Sequence, residues 1–543
     1  MTLTLLDPAP VASGLVQGER TSVLATRLWP AMPSAPGISW LITLGITGLA
    51  AALRWPSLGT PHTFVFDETY YAKDAFSLLE FGYERSFVDG ANAQILASNG
   101  DPSGLMQVFK TDPAFVVHPP VGKWTIAIGE HFFGITPFGW RFSVAVLGTL
   151  AVLMTIRITR RLTRSTLIGA IAGVLIAVDG QAIVHSRTAL LDPVLMFWIL
   201  AAFGALLLDR DRTRKRLAWQ VHSYTDDIGA LRAFGVGHGP RLGLRPWRWV
   251  AGICLGLACG TKWSGIWFVV AFGLLTVAWD LSTRRLLGVP HPYWVTALRS
   301  VAPALITIVG IAGIVYLLTW SGWMLSQGGY DRQWAANNPT VGWAGAMPDV
   351  LRSLWHYHSE ALNFHRNLTS PHNYQSNPWG WLLQSRPTSY FYETRNLGQD
   401  GCTVDKCSTE VIALGNPIVW WAGVMALIHQ VWRWVGRRDW RSGAVVIGFL
   451  AGWFPWLFFQ QRTIFTFYAL VFLPFLVMAL AMSLGTVIGP QTASPNRRTI
   501  GAALAGAVIL AAVAAGWFFD PIWVGKVIPY AQWQLRMWFP TWI

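Results

Sequence analysis

The chain has 543 residues, 53% hydrophobic and only 13% charged, with 32 Trp and a formal net charge of +14. A soluble protein of this length needs far more charge to cover its surface, so the composition excludes a soluble enzyme and implies an integral membrane protein. The excess positive charge does not point to nucleic acid, because it falls between apolar runs, in every second loop, as the positive-inside rule requires.

Residues 1–37 are polar and Pro-rich, and are expected to form a loose cytoplasmic tail rather than a cleavable signal peptide. Residues 38–543 are then one transmembrane domain. About eleven spans are predicted, at 38–54, 139–157, 166–184, 189–208, 248–261, 264–281, 301–320, 416–434, 442–459, 463–484 and 500–519. Most approach the roughly 20 residues that cross about 30 Å of hydrocarbon; 248–261 is short. Arginines cluster after the second span (Arg157, Arg160, Arg161, Arg164) and after the fourth (Arg210 to Arg216). Further clusters follow the sixth (Arg284, Arg285), eighth (Arg433, Arg437, Arg438) and tenth (Arg497, Arg498). They set the N-terminus inside and serve as contacts for anionic membrane lipids. The fold class expected is an all-α polytopic membrane protein with two large extracytoplasmic loops, 55–138 and 321–415. Polar groups concentrate in those loops and not at mid-membrane, which argues against a channel or transporter.

The first large loop opens on Phe66-Asp67-Glu68-Thr69-Tyr70-Tyr71. Two carboxylates just outside a bilayer are poor anchors but suit proton removal from a hydroxyl at the membrane surface, with Asp67 as candidate base and Glu68 as its companion. The competing reading is that Asp67 caps a helix N-terminus. Next comes His118-Pro119-Pro120-Val121-Gly122-Lys123, a stretch stiffened by its prolines. Lys123 either meets a phosphate or touches lipid headgroups. Arg141, at the outer start of the second span, opposes the positive-inside trend and needs an anion; a lipid phosphate is favoured over a pairing with Asp67. Arg187 and Asp192 flank the next outer turn and read as an ion pair, whereas Asp179 within the third span has no evident role.

The second large loop holds Trp355-His356-Tyr357-His358, Asn363-Phe364-His365-Arg366 and Pro371-His372-Asn373-Tyr374-Gln375-Ser376. These histidines match no zinc signature, and Glu360 is the one carboxylate among them, so no metal is assigned. Aromatic rings and amides do suit a sugar, which makes His118, His365, His372 and Tyr374 candidate substrate contacts. Cys402 and Cys407 lie in the same loop and stand open between a disulfide and free thiols. Arg462, in the turn before the tenth span, is a second candidate for a phosphate.

Taken in order, Phe66-Asp67-Glu68-Thr69-Tyr70-Tyr71, His118 to Lys123, Gly139-Trp140-Arg141-Phe142 and the His-Tyr-His…Asn-Phe-His…Pro-His-Asn-Tyr-Gln-Ser series of the second loop resemble the protein O-mannosyltransferases. So does Leu414-Gly415-Asn416-Pro417 leading into Trp420-Trp421. The resemblance runs over roughly 38–540 and looks like an actinobacterial member, since the second loop has no room for the β-trefoil of eukaryotic relatives. One departure is Thr466-Phe467-Tyr468-Ala469, where a His-Tyr pair is expected. The resemblance implies a GT-C glycosyltransferase that moves mannose, with inversion, from a polyprenyl phosphate to Ser or Thr hydroxyls of exported proteins at the outer face of the plasma membrane. It implies Asp67 as general base, Glu68 as an aid to acceptor placement and Arg141 on the donor phosphate. No cofactor beyond polyprenyl-phosphate mannose is implied, and a translocon is a conceivable supplier of acceptor. The alternative is a related GT-C transferase acting on a lipid or cell-wall polymer.

Overall fold

Apolar runs in this chain bury best as helices, since every backbone N–H and C=O must be satisfied within the bilayer. The computed structural model describes residues 22–32, 35–101, 103–343 and 345–543. Among them, eight helices are long and apolar enough to cross a membrane: Pro36–Arg54, Pro137–Thr163, Asp192–Val221, Gly265–Leu286, Pro292–Thr319, Trp440–Phe458, Thr466–Ile488 and Pro495–Trp523. The three other expected spans are the shorter or more polar helices Thr166–Ala177, Pro246–Cys259 and Pro417–Arg437. The protein is therefore a multi-pass, mostly helical membrane protein.

Two spans depart from expectation. The third was expected to run unbroken through 184; instead it stops at Ala177 and restarts as Gly180–His185. Asp179 explains the break. One of its oxygens caps the new helix by accepting from the Ala182 N–H (3.1 Å), while the other accepts from the Asn416 N–H (3.0 Å) and Trp420 Nε1 (2.9 Å). Asp179 thus ties the third span to the eighth. The seventh begins at Pro292, earlier than expected, and contains two π-helical stretches, Ala297–Val301 and Leu305–Gly310, around Pro303, which has no N–H to give.

Helix Asp192–Val221 is central, with Leu195, Ile199, Phe203 and Leu206 buried against neighbours that include Phe272 and Phe475. Helix Pro246–Cys259 packs closely on helix Pro292–Thr319 through Gly252 and Gly256. A Cβ there would stand 2.1 Å from the Thr307 carbonyl oxygen and 2.7 Å from that of Ala312, so small residues are required.

The loops are not structureless. Between Arg54 and Pro137 lie helices Glu68–Phe81, Ala91–Ala97 and Val121–Phe133, with strand Arg85–Phe87 antiparallel to Phe109–Pro113. The second large loop contains helix Asp349–Asn367 and the hairpin Thr388–Asn396/Lys406–Ala413, to which Ile528–Pro529 adds a third strand. Cys402 and Cys407 are disulfide-bonded at the hairpin's turn. These short sheets are the exception to the all-α expectation.

On the opposite, arginine-rich face, Asp209 and Asp280 share Arg245 and Arg248. The loose tail expected over 1–37 lies in part outside the described residues. Within them, helix Val23–Leu28 is docked, with Leu24 and Leu28 buried against Leu217, Val221 and Phe234.

Candidate active site

Everything around Asp67 is set by its neighbour. Glu68 is fully buried, and its carboxylate accepts from Arg141 Nε (2.8 Å), a terminal Arg141 nitrogen (2.7 Å), the Val65 N–H (2.9 Å) and the Ala189 N–H (2.8 Å). Arg141 gives its remaining donors to the carbonyls of Leu58, Pro61 and Thr63. With all five N–H groups engaged and the side chain 1% exposed, Arg141 has nothing left to offer a phosphate. The expected phosphate contact is thus corrected to a buried pairing, and the partner is Glu68 rather than Asp67.

That pairing clamps the loop that delivers Asp67. Phe66 occupies the left-handed region (φ 53°), a conformation costly for a bulky side chain and held here by its ring stacking on Tyr390 (4.6 Å between centroids). Tyr390 in turn donates from its hydroxyl to His185 Nε2 (3.0 Å), and His185 Nδ1–H donates to the Gln181 carbonyl (2.7 Å). Asp67 precedes helix Glu68–Phe81, yet its side chain caps no N–H. The capping reading therefore fails, and the carboxylate is left with the Tyr71 hydroxyl at 3.5 Å. Burial raises its pKa to about 6, Lys262 opposing and Asp192 reinforcing the rise.

Lys262 and Asp192 mark the head of a cavity of about 1020 Å³. Lys262 Nζ lies 2.7 Å from Asp192 Oδ2 and 5.2 Å from the centre of the Tyr468 ring. His118, His365 and Arg462 line the same polar end. Arg462 donates to His365 Nδ1 (3.0 Å), and His365 Nε2–H donates to the Val117 carbonyl (3.1 Å). Those bonds fix a neutral imidazole, in keeping with a pKa that burial, and then Arg462, depress to about 4. His118 sits 5.4 Å from His365 ring to ring, with its pKa lowered chiefly by burial and its Nδ1 closed off without a hydrogen bond. The other end of the cavity is apolar, walled by Ile266, Trp267, Val309 and Phe458, all exposed on the bundle's flank.

Other expected contacts lie elsewhere. Lys123 is 1% exposed, ion-paired with Glu84 and bonded to the His118 carbonyl (3.0 Å); it holds the His118 loop in place and does not reach the cavity. His372 accepts from the Tyr374 N–H (3.1 Å) and packs its ring on Phe465, while Tyr374 lies under the Arg386 guanidinium. Both sit outside the cavity wall. Arg187 does not pair with Asp192 but donates to the carbonyls of Arg54, Pro56 and Ser57, leaving Asp192 to Lys262. Lys262 itself is a cavity residue that the sequence reading passes over. A lysine in the turn Thr261-Lys262-Trp263-Ser264, on the same side as Arg141, carries the signal that singled out Arg141: positive charge opposing the positive-inside trend.

Residues 45–224 match the family model described as dolichyl-phosphate-mannose-protein mannosyltransferase, and 350–542 match the C-terminal four-transmembrane region of protein-O-mannosyltransferase. The chain is 40% identical over 513 residues to a polyprenol-phosphate-mannose–protein mannosyltransferase of Mycolicibacterium smegmatis (strain MKD8), covering 93% of each. It is 33% identical over 544 residues to the protein of the same name from Corynebacterium glutamicum, covering 97% of this chain and 98% of that one. Among solved structures it matches the S. cerevisiae protein O-mannosyltransferase Pmt1-Pmt2 complex bound to the sugar donor. The TM-score is 0.69 at 15% identity, covering 96% of this chain and 94% of that chain. The match shows a shared fold, of the GT-C type expected.

Proposed function

Because the chain belongs to the dolichyl-phosphate-mannose-protein mannosyltransferase family, we propose that it transfers mannose from a polyprenyl-phosphate mannose to Ser or Thr hydroxyls of exported proteins. The reaction takes place at the extracytoplasmic face of the plasma membrane, with the N-terminus in the cytoplasm. The observation that carries this reading is the uncapped Asp67 carboxylate, which feels the charges of Lys262 and Asp192 behind the wall that those two residues form at the polar head of a cavity whose other end is apolar. A polyprenyl chain suits the apolar end, and its phosphate suits Lys262 and Arg462.

In the reaction the acceptor oxygen attacks the mannose anomeric carbon from the face opposite the phosphate. The bond from that carbon to the phosphate oxygen breaks, the polyprenyl phosphate departs with the bonding pair, and the hydroxyl proton passes to Asp67. A single displacement inverts the carbon. Lys262 and Arg462 meet charge that grows on the leaving phosphate, which is where fixed positive groups lower a barrier. Glu68 and Arg141 are positioning residues: they fix the loop, while Asp67 does the chemistry. The lipid-linked sugar is the only co-substrate, and the reading assigns no cofactor.

Transfer of radiolabel from polyprenyl-phosphate mannose to a Ser/Thr/Pro-rich peptide by the purified protein in nanodiscs tests the activity. Label passing only to a lipid acceptor would move the chain to the lipid- or polymer-directed alternative. The kcat/KM should fall as pH drops through about 6 and level off above it, because a base with its pKa raised to about 6 is protonated below that value. A profile flat down to pH 5 would remove Asp67 from the role of base.

Lys262→Met should lower kcat/KM for the donor by about 10²–10³-fold. Since the single change strands the Asp192 charge, the double variant Lys262→Met/Asp192→Asn separates donor use from folding. It should fold and still fail to use donor at ordinary concentrations. Near-normal donor kinetics in that double variant would reject the phosphate role.

A further inference from the structure

Away from the cavity, the second large loop brings three metal-ligand side chains to one point. Asp331, His356 and Glu360 present ligand atoms that all lie within 4.8 Å of one another. His356 Nε2 is 3.3 Å from Asp331 Oδ2 and 3.6 Å from Glu360 Oε1. We propose that this group binds one divalent transition-metal ion of the zinc class and that the ion clasps the loop to helix Asp349–Asn367.

The sequence explains the convergence. His356 and Glu360 are four apart on one helix and so share a face. Asp331 is carried in by the preceding loop, turned back through the left-handed region (φ 47°). The His356 ring is held by Trp334, which lies flat on it (4.1 Å between centroids, 7° between planes). Ser353 accepts from the Ala335 N–H (3.1 Å), tying the same loop segment to the helix. A histidine-based reading of the sequence found a single carboxylate here, because Asp331 lies outside the His-rich stretch and only folding adds it.

Charge and distance both favour a cation. Among the described residues, no Lys or Arg pairs with Asp331 or Glu360: Arg332 donates to the Met324 carbonyl, and Arg352 to Asp349 and the Asn338 carbonyl. Glu360 Oε2 is closed off from water, and its carboxylate lies beside the Tyr330 hydroxyl, a neutral neighbour that leaves its charge uncompensated. Ligands bonded at about 2.1 Å in a tetrahedron stand roughly 3.4 Å apart, close to the 3.3 and 3.6 Å seen here. One imidazole and two carboxylate oxygens form a borderline donor set that suits zinc better than the all-oxygen shells of calcium or magnesium.

The ion would act through structure and not on the reacting atoms. His356 is nine residues before His365 on the same helix, about 13 Å along its axis at roughly 1.5 Å per residue. The clasp therefore steadies a helix whose later turns put His358, Leu362 and His365 into the cavity wall. It does not depend on the transferase reading.

The competing arrangement is a protonated His356 bridging both carboxylates with no metal. To separate the two, the full-length protein is stripped with EDTA in detergent, then titrated with zinc chloride, with bound metal counted by mass spectrometry and thermal unfolding followed. The expected result is one zinc per chain and a raised unfolding temperature. The near-isosteric Glu360→Gln should weaken binding at least tenfold, His356→Ala should abolish it, and His372→Ala should leave it unchanged. Should His356→Ala fail to fold, Glu360→Gln alone decides. Zinc bound equally by wild type and Glu360→Gln, or bound by neither, would overturn the proposal.

Discussion

Asp67→Asn is expected to slow mannosyl transfer by about 10²–10⁴-fold, the usual contribution of a general base, while leaving the fold and donor binding intact. The expectation of an intact fold follows from the geometry. The Asp67 side chain caps no helix N–H, and its one hydrogen bond among the described residues is a long one from the Tyr71 hydroxyl (3.5 Å), so an amide of the same shape breaks no strong structural bond. It also removes a partly buried charge, which favours folding. A wild-type rate in the variant would mean that another group takes the acceptor proton. Unfolding of the variant would mean that the carboxylate is structural after all.

Arg141→Ala is expected to fail in the opposite manner. Its guanidinium closes five hydrogen bonds, two to Glu68 and three to carbonyls of the loop before Asp67. Removing it leaves the Glu68 carboxylate buried without its cation, a loss of about 3–5 kcal/mol for a broken buried pair. The measurable result is a large drop in unfolding temperature and yield, with an unchanged donor KM in whatever folded protein survives. Normal stability combined with a raised donor KM would return Arg141 to the phosphate. The contrast is useful because Asp67, Glu68 and Arg141, drawn together by the fold from two separate motifs, divide into one chemical group and two that hold it.

Much of the fold is legible in the sequence because the bilayer leaves an apolar run few choices, and the arginine clusters repeat in alternate loops. What the sequence hid depended on local bonding or on pairing between distant segments. Asp179 reads as an ionisable group within a span, and only the Asn416 and Trp420 contacts reveal it as a splice between two helices. Lys262 and Asp192 lie in different turns, so the ion pair heading the cavity has no sequence signature. The cation nearest Asp192 in sequence, Arg187, satisfies backbone carbonyls instead. Arg141 opposes the positive-inside trend and so signals a need for an anion, for which the sequence offers a lipid phosphate or Asp67. Glu68, one residue on, points inward and takes the pairing. Conversely, His118, His365 and Arg462 stand out by residue type and by their place in the outer loops, and they meet at one cavity, since polar groups near a membrane surface have few places to gather away from lipid.

The most direct test of the account is a structure of the Asp67→Asn variant, in nanodiscs, trapped with polyprenyl-phosphate mannose. The account predicts the donor phosphate within hydrogen-bond distance of Lys262 and Arg462, the sugar on the Asp67 side, and the lipid chain along Ile266, Trp267 and Val309. A phosphate bound at Arg141, or a donor seated away from this cavity, would contradict it.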